Sequence, residues 1–261
     1  MATKFEETDR LMERCRAAFK KHPEHMEEFQ ERLDFSWIYH DNALEGVVLS
    51  YHELKAAIDK NIISDVSLIP SYTDIRNHKE AIDLVRDAGG KKRVTMDLDF
   101  IKKIHLILNT GEVLPRNSRS TRNPGQYRKD NPLHRLYFHE IAPPEKISYR
   151  MRKLVEWLGS DEARKMHPIK RAGKAHYRLI GIFPWPRHSG KVARLLMNAI
   201  LMHEGYLPAV IHAIERQRYY DVLRSPHSGL TTLICESIQG TVDAAMRFLQ
   251  EVSPESVAAA S

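Results

Sequence analysis

Two prolines, Pro184 and Pro186, stand two residues apart in the middle of an otherwise helical chain. A proline has no N–H to donate and its ring collides with the preceding turn, so this pair cannot lie inside a helix. The stretch Ile182-Phe183-Pro184-Trp185-Pro186-Arg187-His188-Ser189-Gly190-Lys191-Val192-Ala193-Arg194-Leu195-Leu196-Met197-Asn198 therefore reads as a helix end, a rigid loop and a new helix. Val192, Leu195, Leu196 and Ala199 recur at helical spacing and give the new helix an apolar side. Its first turn leaves backbone N–H groups unpaired at the positive end of a helix dipole, which suits an anion. Arg187, Lys191 and Arg194 bring cationic side chains to the same point. Spacing alone supports an anion site and a tight connector with solvated basic residues equally. Gly190-Lys191 is not a phosphate loop of the Walker kind, because the preceding glycine is misplaced and Val192 stands where a Ser or Thr is needed.

The rest of the chain is helical in texture. Residues of about 5–21 place Phe5, Leu11, Met12, Cys15 and Phe19 near helical spacing. His22-Pro23 breaks that helix, and a second runs from about Glu24 through Phe29, Leu33, Ile38 and Leu44 to Gly46. Ser50 with Glu53 forms a capping box for a third. Further helices are expected over Ser71 to Ala88 and from a Thr95 cap to Asn109. Residues 112–130 then form a long arginine-rich loop, and 126–141 read as a short hairpin around Asn131-Pro132. Helices resume at Pro143-Pro144 and Pro168, and after the loop over about 190–204, 213–224 and 229–250. The end of the chain, Ser253 to Ser261, is expected to fray.

At 261 residues the chain can bury a substantial core. Forty basic against 34 acidic residues give a net charge of +6. That excess permits an acidic partner but falls short of a nucleic-acid-binding signature, and no helix-turn-helix or zinc motif is visible. Two distant cysteines, Cys15 and Cys235, argue against a disulfide framework or a cysteine metal site. The polar N-terminus does not read as a signal peptide, and no apolar run is long enough to span a bilayer. The expected location is cytoplasmic, with no membrane partner.

The proline loop also resembles the signature of the Fic (Fido) family, HPFx(D/E)GNGRxxR followed by LLMN. Pro184, Gly190, Arg194 and Leu195-Leu196-Met197-Asn198 match it without gaps. Phe183 stands at the position of the family's catalytic histidine, Trp185 at its phenylalanine and Arg187 at the acidic residue that holds magnesium. His188, Ser189 and Lys191 replace its first glycine, asparagine and first arginine. Other fragments fall in the family's order: Asn123-Pro124-Gly125-Gln126-Tyr127-Arg128 before the target-docking hairpin, or flap, then Pro143 to Leu158, Ala175 to Ile180, and Arg218-Tyr219-Tyr220. Asp41-Asn42-Ala43-Leu44-Glu45-Gly46 resembles the inhibitory motif (S/T)xxxE(G/N), with Asp41 replacing the serine or threonine.

The resemblance implies an all-α Fic-type domain with one short β-hairpin and an N-terminal inhibitory-type helix. Residues 1–95 would be the N-terminal helical region carrying that helix (24–46), 96–250 the core with its signature loop at 183–194, and 251–261 a frayed tail. It implies target docking by Tyr127, Arg128, Leu136, Tyr137 and Phe138, and an inhibitory or structural ion pair between Glu45 and Arg194.

Fic enzymes move AMP from ATP onto a protein hydroxyl. Phe183 has no lone pair to take that hydroxyl's proton, a loss worth about 10²–10⁴-fold. Arg187 repels the magnesium ion that an acidic side chain would hold. Arg187, Ser189, Gly190, Lys191 and Arg194 remain to hold an anion or a nucleotide such as ATP; neither a metal site nor Mg²⁺ is expected. His188 reads as a surface-loop histidine, and His176 as a core residue. The leading reading is a Fic-fold pseudoenzyme that binds an anionic ligand, a nucleotide or a protein partner, and a homo-oligomer stays open. A divergent enzyme transferring AMP or another phosphate-containing group is the second reading. A nucleic-acid-binding module using the arginines of 116–135 is the third.

Overall fold

Amphipathic segments closed by recognisable caps fold here as helices gathered round one that is buried on every side. The computed structural model describes residues 3–58, 69–111, 125–131, 140–224 and 229–253. Its helices are α1 (Lys4–Lys21), α2 (Met26–Leu44), α3 (Tyr51–Ile58), α4 (Ile69–Gly90), α5 (Leu98–Leu108), α6 (Pro144–Leu158), α7 (Asp161–Lys165), α8 (Pro168–Ile182), α9 (Ser189–His203), α10 (Arg216–Arg224) and α11 (Gly229–Val252). Short 3-10 turns, Pro23–His25 and Ala213–Glu215, lead into α2 and α10. No strand occurs among the described residues, and the fold is all-α. Most of the hairpin expected at 126–141 lies outside them, as do Leu136, Tyr137 and Phe138. No described helix is long and apolar enough to cross a membrane.

Several boundaries follow their caps. Ser50 and Glu53 exchange the two bonds of a capping box, Ser50 N–H to Glu53 Oε2 at 2.6 Å and Glu53 N–H to Ser50 Oγ at 3.2 Å. The expected Thr95 cap is displaced to Asp97, whose carboxylate accepts the Phe100 N–H at 2.9 Å. The proline of His22-Pro23 opens a 3-10 turn, so α2 starts at Met26 rather than Glu24. α11 continues through Val252, past the expected start of the tail at 251, and the remainder of that tail beyond 253 lies outside the described residues.

α9 is buried from Ser189 to Leu201, so it needs an apolar surround on all sides. α8, α4 and α5 pack against it. Gly89 lets α4 come close: a Cβ there would lie 2.6 Å from the Met202 Cβ. α1 packs along α11, and α2 lies on α4 and the Ala213–Glu215 turn. The C-terminal end of α2 is fixed by α10. The Leu44 carbonyl accepts from Arg216 Nε at 2.9 Å and from the Tyr220 hydroxyl at 2.8 Å. Cation and hydroxyl thus satisfy a helix-end carbonyl, which stabilises the negative end of the helix. This holds residues 41–45 over the start of α9.

Candidate functional site

α8 ends because Phe183 turns into the left-handed region, at φ 49° and ψ 62°. A bulky residue there is strained unless its surroundings hold it. Arg128 does the holding. Its Nε donates to the Phe183 carbonyl at 2.7 Å, and its guanidinium also reaches the carbonyls of Ile182 and Ala142 and the Asn131 Oδ1. Its backbone N–H donates to Pro184 at 2.9 Å. A buried cation at a helix C-terminus satisfies carbonyls that the helix leaves unpaired. Arg128, expected among the docking residues, is therefore a buried brace for the loop. Its neighbour Tyr127 is partly buried, with its ring centroid 6.0 Å from that of Trp185.

The loop is packed throughout. Trp185 is fully buried and stacks on His105 with centroids 4.1 Å apart and planes 9° apart. The Ser189 hydroxyl accepts the Trp185 N–H at 2.9 Å and donates to the Trp185 carbonyl at 2.7 Å. The hydroxyl of Ser189, a residue of the expected anion set, thus closes the loop on itself. Arg187 is exposed. His188, also left-handed at φ 61°, is not the surface histidine expected: both ring nitrogens are shielded from solvent.

Below the loop, the first turns of α9 meet α2. Arg194 Nε donates to Asp41 Oδ1 at 2.6 Å, and its terminal nitrogen reaches Glu45 Oε1 at 2.9 Å. Lys191 Nζ donates to Asn42 Oδ1 at 2.8 Å and lies 3.9 Å from Glu45 Oε2. His78 Nε2 of α4 stands 3.2 Å from the second Asp41 oxygen. A Cβ on Gly190 would lie 3.0 Å from Glu45 Oε1 and 3.2 Å from the Arg194 guanidinium, so the glycine gives the ion pair its room.

The charges balance: two cations face two carboxylates in a buried space. Burial pushes the Asp41 carboxyl up, but Arg194 and His78 outweigh it and hold Asp41 at about 2. Burial likewise opposes the charge of Glu45, and Lys191 and Arg194 bring it below its ordinary value. Arg194 loses by burial and regains more from Asp41, Tyr219 and Glu45. Burial dominates at His78 and lowers its imidazole despite Asp41. His176 is a core residue, with Nε2 2.9 Å from the Tyr219 hydroxyl.

Of the residues expected to hold an anion, Gly190, Lys191 and Arg194 come together at one place, already occupied by α2. Asp41, Asn42 and His78 complete that place, and sequence reasoning assigned them no role in it. Asp41 was findable: it sits one helical turn before Glu45, and two carboxylates four residues apart on one face repel unless a cation lies between them. His78 gave no such signal.

A family model described as Fic/DOC matches residues 95–201, which run from just before α5 through most of α9. Residues 95–201 therefore carry a Fic/DOC-type domain. Among curated relatives, the protein adenylyltransferase Fic of Nematostella vectensis is 28% identical over 214 residues, covering 80% of this chain and 48% of the relative. That of Aedes aegypti is 28% identical over 222 residues, covering 83% and 42%. The chain thus spans less than half the length of these relatives. Among solved structures, a Fic domain containing signaling protein from Bacteroides thetaiotaomicron aligns with a TM-score of 0.73 at 20% identity, covering 91% of this chain and 98% of that one. Fic-1 from C. elegans aligns with a TM-score of 0.74 at 21% identity, covering 97% and 73%. At that identity the structures speak to the fold alone.

Proposed function

We propose that this protein is a Fic-fold pseudoenzyme that binds a phosphate-bearing ligand, a nucleotide foremost, without transferring any part of it. The site is kept closed by α2 until its carboxylates are displaced. One observation supports the reading: Phe183, a buried ring with no lone pair, stands where the resemblance to the Fic signature puts the catalytic base. A proton must leave the attacking hydroxyl during transfer, and this side chain cannot receive it.

The donor set at the loop does not fit magnesium. Arg187 is a cation, and Asp41 and Glu45 are engaged by Arg194 and Lys191. A hard divalent ion needs free oxygen ligands. The same arrangement does suit an anion once Asp41 and Glu45 withdraw. Two cations would then stand at a helix N-terminus without a balancing negative charge, and a phosphate would restore it.

A second reading, a divergent enzyme moving AMP or another phosphate-containing group onto protein hydroxyls, has one observation in its favour. His188 lies in the same loop, near enough to Glu45 to help draw its carboxyl down. The nucleic-acid reading loses Arg128, whose donors are spent inside the fold.

Thermal shift at low salt separates these readings, using ATP, ADP, GTP and inorganic phosphate with the native chain and with an Asp41→Asn, Glu45→Gly double variant. The native chain should gain little. The double variant should melt lower in buffer and regain several degrees with nucleotide. Neither protein should pass label from ATP to any protein. If no phosphate ligand stabilises either protein, the binding half of the proposal fails.

A further inference from the structure

The corner between α1 and α2 reads His22-Pro23-Glu24-His25, and its turn brings three ligand-type side chains into one cluster. Glu24 Oε1 lies 3.4 Å from His22 Nδ1 and 3.7 Å from His25 Nε2. The three ligand atoms all lie within 4.8 Å of one another. Zinc bonds to histidine nitrogen and carboxylate oxygen at about 2.0–2.2 Å, so neighbouring ligands on a tetrahedron stand about 3.4 Å apart. The two measured separations are close to that edge.

The rings are set by packing. The His25 ring meets Phe248 edge-on at 6.3 Å, and His22 stacks on His25 at 6.1 Å. The side chains of His22 and His25 are 22% and 23% exposed and that of Glu24 is 60%, so an ion can reach the cluster from solvent. His25 Nε2 is now 2.9 Å from the Ser253 hydroxyl, a contact that a metal bond would replace.

We propose that His22, Glu24 and His25 bind one divalent ion of the zinc type, with water in the fourth position. Two imidazoles, one carboxylate and an open position form a ligand set that zinc accepts. Nothing in the Fic signature requires this site, and it lies at the opposite end of α2 from Asp41 and Glu45. An ion here would fix the N-terminal root of the helix whose other end closes over Arg194.

The test uses the full chain freed of metal with EDTA. Zn²⁺ is titrated against a chromogenic chelator, and Co²⁺ serves as the spectroscopic probe. One equivalent should bind in the micromolar range, with Co²⁺ giving the visible absorption of a tetrahedral site. His22→Ala, His25→Ala and Glu24→Ala should each weaken binding at least tenfold. All three positions are partly solvent-exposed, so the variants should melt like the native chain in EDTA. Zinc should raise the melting temperature of the native chain only. Binding weaker than millimolar would overturn the proposal, as would equal binding by the His22→Ala, His25→Ala double variant.

Discussion

The loop of residues 183–188 and the first turns of α9 adjoin each other, yet they hold different things. In the loop, on the proposed reading, Phe183 stands in the place of the base and Arg187 in that of the metal ligand, and neither side chain suits that chemistry. At the start of α9, the cations that would meet phosphate are present and each is engaged, Arg194 by Asp41 and Glu45, Lys191 by Asn42 and, at 3.9 Å, Glu45. The difference teaches how unequal the two demands are. Catalysis needs a lone pair at one position, and a single substitution removes it without disturbing a packed loop. A buried ion network needs every partner, because losing one strands the others in low dielectric.

The sharpest way to break this comparison is Arg194→Met. It leaves the buried Asp41 and the partly exposed Glu45 without their cation, at a cost of roughly 3–5 kcal/mol. At about 2–4 °C per kcal/mol for a chain of this size, the melting temperature should fall by about 10 °C. A fall of less than about 2 °C would mean that the α2 carboxylates simply turn to solvent.

Acid titrates the same network. Asp41 is held at about 2 and Glu45 is also lowered, so their stabilisation is full above their unfolded values of about 3.8 and 4.5 and is lost as pH falls through the lowered ones. His78 and His40 are also lowered from an ordinary 6.5, His40 to about 4 by burial and its neighbour His212. The unfolded chain takes their protons first, so stability already declines below about pH 6.5. Melting curves from pH 8 to 3 should show both declines. His78→Gln should flatten the upper one, and Asp41→Asn with Glu45→Gln the lower. A lower decline unchanged in that double variant would place its origin elsewhere.

Gly190→Ala tests how tightly the pair is seated. The added methyl would meet Glu45 and Arg194 and should cost about 1–3 kcal/mol in a denaturant melt. Ser189→Ala gives the smallest effect, about 1 kcal/mol, because it removes only the two bonds to the Trp185 backbone. If Ser189→Ala proved costlier than Gly190→Ala, the loop rather than the clamp would be the stiffer half.

Much of this was legible in the sequence, for local reasons. Helix positions follow apolar spacing and caps, and the proline pair forces the loop. What was missed depends on residues distant in the chain. Arg128 reads as an exposed arginine beside a hairpin; only the carbonyls at the end of α8, more than fifty residues on, make it a buried brace. His78 reaches Asp41 across the packing of α4 on α2, which no spacing reveals. α7 is five residues long, too short for periodicity, although Ser160 with Asp161 and Glu162 marked its start.

The most direct measurement is label transfer. The native chain is incubated with α-labelled ATP, magnesium and candidate protein acceptors, beside the Asp41→Asn, Glu45→Gly variant in which the clamp is released. Nucleotide should protect the released variant against heat, and neither reaction should contain labelled protein. Stoichiometric labelling of any acceptor by the native chain, with Phe183 and Arg187 in place, would contradict it.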